Sequence, residues 1–441
     1  MYNNKIKSKK NRIFFNSFAK YIIIIFVFLS FSKLPHQDNN LDKGLIKLAY
    51  YCNSIKYGGV ERVISLIINH ISKEKIFSQY LITKSDILEG EYFIPKNIKR
   101  IGLIKRSGSL FYFIRKKHID ILIYNFYSIR EIRQLNQIET TKIIYYDHSS
   151  FLYWIYTKHY NFKDTIYNAY KKCKYVISLI PLESNYLFKI WGINSILMNN
   201  PTTFEYDYII PSDLSSKNII MIGRHYDPIK RFELGIKSMK SILKEIPMCQ
   251  MNIVSLPSEE SEKLIENLNL ENNVRFVGFQ MNVEIYLRNS SLLILPSLSE
   301  CYPMVLSEAK IFGIPSILCG LDYLALSKGG TIIIYDDDPE TISQEAIKIM
   351  KDKDYRKNMG NEARKSMEKF KNNLIIKKWI KLLISIYKGD EQSYNKLLSE
   401  NENKIKKEEA EKILNNQLKL LKKRNKFFSE INLDKFKMYS F

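Results

Sequence analysis

Residues 298–315 read LSECYPMVLSEAKIFGIP, with two carboxylates, Glu300 and Glu308, on either side of a proline, Pro303. The apolar run SLLILP precedes them, so both follow a buried strand. Pro303 suits the first turn of a helix, where its missing N–H leaves no bond unmade. The turn Pro303-Met304-Val305 then presents unpaired amides and the positive end of the helix dipole, a ready anion site. Glu300 sits before that turn, in the loop. Glu308 sits beyond it, about 7.5 Å along the helix axis. Such a site suits a ligand with an anionic middle and hydroxyl-bearing ends. A nucleotide-diphosphate sugar is such a molecule, with Glu300 facing the sugar and Glu308 the ribose.

Strand-like and helix-like segments alternate along the rest of the chain. LIKLAYYC reads as a buried strand, and KYGGVERVISLIINHI starts at Gly58-Gly59 and continues with helical periodicity. A glycine pair at a strand-to-helix turn lets backbone approach a phosphate or sugar closely. Further strands are expected at QYLIT, DILIYN, KIIYYDH and YVISLI, and the pattern lapses at MNNPTTFEYDYIIPSDLSSKN. A second cycle begins with NIIMIG and runs through QMNIVS, VRFVGF, SLLILP, PSILC and TIIIYD. Repeated β–α alternation implies two doubly wound, parallel-sheet domains, with the ligand site in the cleft between them.

The expected organisation is a basic and apolar N-terminal segment (1–44), a first Rossmann-like domain (45–208) and a second (215–365). A closing helix (366–388) and a charged helical tail (389–441) follow. The chain has 441 residues, 45% of them hydrophobic, which excludes low-hydrophobicity disorder. Five scattered cysteines lack metal-ligand spacing and read as reduced thiols in a cytosolic setting. The net charge of +22 suits an anionic membrane face or an acidic acceptor. No arginine-rich stretch or RNA-binding aromatic pattern accompanies it, so nucleic acid is not the expected partner. Basic MYNNKIKSKKNR precedes an apolar core, Tyr21 to Phe31, that is short for a spanning helix. The segment is expected to associate with the inner membrane face rather than to cross it. The basic cluster Lys422, Lys423, Arg424 and Lys426 is expected on a solvated helix face or against anionic lipid.

Several motifs in order resemble one known family, the retaining GT-B glycosyltransferases of family 4, over roughly residues 45–385. The carriers are Glu300-x7-Glu308 with Ala309 and Gly313-x-Pro315, YGGVERV, Asn200-Pro201, IGRHYDPIKRFELGIKS and VRFVGF. The resemblance implies a GT-B fold and transfer of a sugar from a nucleotide donor, with uridine the commonest base. It implies that Arg224 and Lys230, after Gly223, hold the diphosphate, and that Val277 lies beside the base. It also implies that His148, in YYDHSSF, contacts the donor sugar and that no metal is needed. His225 has no matching family position. The family usually has glycine where this chain has Cys301, and Gly-x-Gly where it has LPSEE.

Asp336-Asp337-Asp338 imitates a metal-binding Asp-x-Asp, yet Asp338 before Pro339 and Glu340 reads as a helix cap. The acceptor is expected to be a glycan or lipid-linked molecule that meets the first domain at FYFIRKKH and FLYWIYTKHY, as in surface polysaccharide, lipopolysaccharide or teichoic-acid assembly. Two rival readings share the fold: a non-catalytic GT-B subunit that stabilises a partner enzyme, and a GT-B sugar-nucleotide epimerase.

Overall fold

A computed structural model describes residues 44–104, 109–125, 128–148, 170–224, 227–402 and 407–430. The N-terminal segment, FLYWIYTKHY and His225 lie outside the described residues.

The first sheet is formed by β1 (Ile46–Cys52), β2 (Phe77–Thr83), β3 (Lys99–Gly102), β4 (Ile121–Tyr124), β5 (Lys142–Tyr146), β6 (Tyr175–Ser178) and β7 (Ile196–Leu197). Its order is β3-β2-β1-β4-β5-β6-β7, all parallel, with Ile46 opposite Phe77 and Leu48 opposite Ile121. The second sheet is formed by β8 (Asn218–Ile222), β9 (Gln250–Val254), β10 (Val274–Phe276), β11 (Leu292–Leu295), β12 (Ser316–Cys319) and β13 (Thr331–Ile334). Its order, β10-β9-β8-β11-β12-β13, repeats the winding of the first. Parallel strands need crossover connections, and the apolar runs that read as strands are buried on both faces accordingly.

In such sheets ligands bind beyond the carboxyl ends of the strands, where the winding reverses direction. Here those points are β1/β4 in the N lobe and β8/β11 in the C lobe. β1 leads to helix α1 (Gly59–Ile71), and β4 leads to Asn125. β8 leads to Gly223 and Arg224, and β11 leads to the loop of Glu300.

Outer faces of the two sheets carry separate apolar cores. A third core runs through both lobes, from Leu48 and Ile64 to Tyr302, Leu306 and Trp379. Trp379 belongs to a helix, Asn372–Lys388, that crosses back to the N lobe. Its indole meets the Tyr146 ring edge-on at 5.2 Å, and Lys378 Nζ donates to Leu197 O at 2.9 Å. The following helix, Glu391–Glu402, stays on the N lobe, with Tyr394 against Tyr175 and Glu391 paired to Lys174 at 2.8 Å. The last helix, Lys407–Glu430, lies on the C lobe, where Gln417 Nε2 donates to Gly320 O at 2.7 Å. No described helix is long and apolar enough to cross a membrane.

The tail corrects one expectation. Arg424 is neither solvated nor free for lipid. Its side chain is 3% exposed and paired with Asp337. Lys423 is exposed, and the side chains of Lys422 and Lys426 lie outside the described residues.

Candidate functional site

The C-lobe edge is built from two loops that lock together. After β8, Asp227 caps a single 3-10 turn, Pro228–Lys230, by accepting from the Ile229 amide at 3.2 Å. Arg231 then adopts a left-handed conformation (φ 47°), so adjacent basic side chains leave for different partners. Lys230 Nζ donates to Glu300 Oε1 at 2.6 Å. Arg231 turns inward instead, donating from Nε to Pro296 O at 2.6 Å and from Nη2 to Asp337 Oδ1 at 2.8 Å. Gly223 makes room for this: a Cβ there would stand 3.0 Å from Lys230 Cγ and 2.9 Å from Phe232 Cζ.

Glu300 is pinned by its backbone, because Tyr323 Oη accepts from the Glu300 amide and donates to its carbonyl, both at 3.0 Å. Helix α2 (Met304–Ile311) follows, with Pro303 as its N-cap rather than its first residue. Pro303, Met304 and Val305 are all buried at this start. Three hydroxyls of the loop, on Ser297, Ser299 and Tyr302, are buried without a hydrogen-bond partner among the described residues.

The N-lobe edge faces this loop at several points. Gly58 precedes α1 with extended backbone, and the Glu61 carboxylate folds back over it. A Cβ on Gly58 would stand 1.8 Å from Glu61 Oε2. A Cβ on Gly59 would stand 3.9 Å from Met304 Cγ in the opposite lobe, so the starts of α1 and α2 approach each other across the cleft. Tyr57 meets Phe279 edge-on at 5.0 Å. Val277, in the same strand-end segment, is partly buried and donates its amide to Ile253 O at 3.0 Å.

Burial raises the Glu61 carboxyl, against the pull of its own backbone amide and of Arg224. The Arg224 side chain is 63% exposed, with Asp227 at 3.5 Å. It follows β8, and its charge acts on Glu61 of the opposite lobe.

Glu308 is 2% exposed in the second turn of α2, and its Oε1 accepts from Arg62 Nη1 at 2.8 Å and Thr203 Oγ1 at 2.6 Å. It therefore points to the N lobe and the linker, joined to the arginine of YGGVERV. His148 stands beyond β5. Its Nε2 is 3.1 Å from Asn125 Oδ1, and its ring lies 4.1 Å from that of Tyr146. Burial pushes its pKa down to about 3, so the imidazole is neutral at pH 7. Tyr146 in turn bonds Asn200 of the Asn-Pro motif.

The structure thus brings Gly223 to Lys230, Lys230 to Glu300 and, at the start of α2 with Pro303 and Val305, Met304 to Gly59 beside Gly58, while Glu308 is buried against Arg62 and Thr203. Arg224, Val277 and His148 stand just beyond the carboxyl ends of β8, β10 and β5. Glu61, Arg62, Thr203 and Tyr323 went unassigned in the sequence, although YGGVERV displays two of them. Asp338 caps the helix Pro339–Lys351 by accepting from the Glu340 amide at 3.1 Å. Cys301 is buried, and its thiol is pushed up by burial and by Glu183, Asp147 and Glu300.

Residues 206–366 match the family described as Glycosyl transferases group 1. The matched stretch is the C lobe and the linker before it. Among curated relatives, N-acetyl-alpha-D-glucosaminyl L-malate synthase of Bacillus anthracis is 26% identical over 180 residues, 40% of this chain. The match takes in 47% of that relative, so the chain spans about half of its length. A Campylobacter jejuni alpha-1,4-N-acetyl-D-galactosaminyltransferase, named for an undecaprenol-linked acceptor, is 20% identical over 78% of this chain and 99% of its own. Among solved structures, Anabaena HepE in complex with UDP and glucose superposes with a TM-score of 0.63. It shares 16% identity and covers 77% of this chain and all of its own. The fold is GT-B.

Proposed function

We propose that the protein is a metal-independent, retaining glycosyltransferase of family 4 that transfers a sugar from a nucleotide-diphosphate donor, UDP-linked, to a glycan or lipid-linked acceptor. The observation that carries this reading is the Lys230–Glu300 pair in the loops that lead to the start of α2. An ammonium, a helix start and an exposed arginine, Arg224, suit a pyrophosphate; carboxylates and hydroxyls suit the two sugars. In the reaction, the bond from the anomeric carbon to the diphosphate oxygen breaks, and its electron pair leaves with the diphosphate. The acceptor oxygen bonds to the same face of that carbon, and its proton passes to the departing phosphate. Lys230, Arg224 and the amides of Met304 and Val305 lie where that negative charge grows, which is where fixed donors accelerate most. Glu300 orients the sugar, and Lys230 exchanges part of its bond to Glu300 for the phosphate. Glu308 grips ribose while keeping Arg62 as its partner. The neutral His148 donates to or accepts from a sugar hydroxyl.

The acceptor reading draws support from the relative named for an undecaprenol-linked acceptor and from the basic helix Leu110–Lys117 of the N lobe. With the basic N-terminal sequence, it puts the enzyme at the inner membrane face in surface-glycan assembly.

The test is turnover of a panel of nucleotide sugars, with and without chelator, by wild type and Lys230→Ala. UDP release by wild type that persists in chelator and falls about 10²-fold or more in the variant is the expected result. Equal turnover by the two proteins overturns the site.

A further inference from the structure

The helix Lys407–Glu430, α3, belongs to no matched family segment, and its sequence reads as a solvated basic tail. Its inner face contradicts that. Arg424 donates from Nε to Asp337 Oδ2 at 2.6 Å and from Nη2 to Asp337 Oδ1 at 2.7 Å, a two-pronged grip. The same guanidinium reaches Leu298 O at 2.9 Å and Cys319 O at 3.3 Å. Two turns earlier, Gln417 Nε2 donates to Gly320 O and Asp322 Oδ1, both at 2.7 Å, and Asn416 Nδ2 to Asp322 Oδ2 at 3.2 Å. Leu420 is 2% exposed between them. Gly320 has φ +65°, and a Cβ there would stand 2.4 Å from Leu420 Cδ1, so glycine is required both by the backbone and by the seat of the helix.

These contacts converge on one loop. Residues 296–300 are tied at Pro296 O by Arg231, at the Leu298 amide by Ile229 O (2.8 Å), at Leu298 O by Arg424 and at Glu300 by Tyr323. Arg424 supplies one tie directly. Through Asp337 it also fixes Arg231, the neighbour of Lys230. Gln417 and Asn416 hold Gly320 and Asp322, next to Tyr323. Both members of the Lys230–Glu300 pair are thereby braced from the same helix.

We infer that α3 is a working part of the donor site, with Arg424 and Gln417 as positioning residues that hold the Glu300 loop and, through Asp337 and Arg231, Lys230 in register. The inference rests on the glycosyl-transfer reading for its consequence in turnover, but the mechanical claim stands apart from it. Neither residue touches donor or acceptor; each acts through another side chain or carbonyl.

Two measurements on the full chain test it. Hydrogen exchange compares wild type with Arg424→Ala and with the milder Gln417→Ala. Amides of 297–302 and 320–324 are expected to exchange about tenfold faster in Arg424→Ala, with the N-lobe strand β4 unchanged. Steady-state turnover of the donor that wild type uses is expected to lose about tenfold in kcat with a smaller change in KM. Arg424→Lys should recover part of that loss, because one ammonium replaces one prong of the grip. Unchanged exchange in 297–302, in either alanine variant that folds, overturns the brace. So does a loss confined to KM, or one that Lys does not relieve at all. If wild type turns over no nucleotide sugar, the functional reading fails, and the exchange result still decides the brace.

Discussion

The two edges of the cleft are made differently. The C-lobe edge is charged and tied. Lys230, Glu300, Arg231, Asp337 and Arg424 form a chain of ion pairs and carbonyl bonds, and Asp337 is held well below the usual carboxylate range by its two arginines despite burial. The N-lobe edge is built mainly on backbone, and its two charges are local: Glu61 folds over Gly58, and Arg62 pairs with Glu308. Gly58 and Gly59 bring a helix start to within van der Waals reach of Met304, and His148 is kept uncharged. In the proposed reaction a diphosphate needs fixed positive charge, and an acceptor that differs from enzyme to enzyme needs an adaptable wall. The matched family segment, 206–366, coincides with the charged edge alone.

The contrast can be broken first at its charged centre. Lys230→Ala should abolish nearly all turnover, a loss of about 10²-fold or more, because in the proposed reaction it removes a donor from the departing diphosphate. Next comes the link between the edges. Glu308→Ala leaves the Arg62 guanidinium, 14% exposed, without its carboxylate. Breaking such a buried pair costs about 3–5 kcal/mol, read as a drop in the denaturation midpoint, together with weaker nucleotide binding. If binding weakens while stability holds, Arg62 is not bound as described.

The N-lobe edge is tested by acid. The folded-state pKa of His148 is depressed to about 3, below the value near 6.5 of an unfolded histidine. The unfolded chain therefore takes up the proton first, and stability falls as pH drops from about 6.5 towards 3, by up to about 1.4 kcal/mol per unit from this residue. His148→Phe should flatten that limb; an unchanged limb would mean the ring is wet. At the small end, Glu391→Ala removes an exposed partner of Lys174 and should change stability by less than about 1 kcal/mol.

Much of this was legible in the sequence, for local reasons. The apolar strands, the proline before α2 and the aspartate cap at 338 are all decided by neighbouring residues. β3, KRIG, was not legible, because an edge strand of four residues with only Ile101 buried has no periodicity to read. YGGVERV showed Glu61 and Arg62 but not their roles, since Arg62 meets a carboxylate 246 residues away. Arg424 was misread for the same reason. Its partner Asp337 is 87 residues off, in a run of aspartates, and composition alone favoured solvent.

The seat of Trp379 has a consequence for synthesis. The N lobe completes its seven strands at Leu197, yet part of its inner core is the helix Asn372–Lys388, which leaves the ribosome after the whole C lobe. Until then the faces around Tyr146 and Ile64 stay uncovered, the state in which nascent chains stick to one another or to chaperones. Cutting the gene at the linker would therefore make two fragments, the first of them lacking a wall of its own interior.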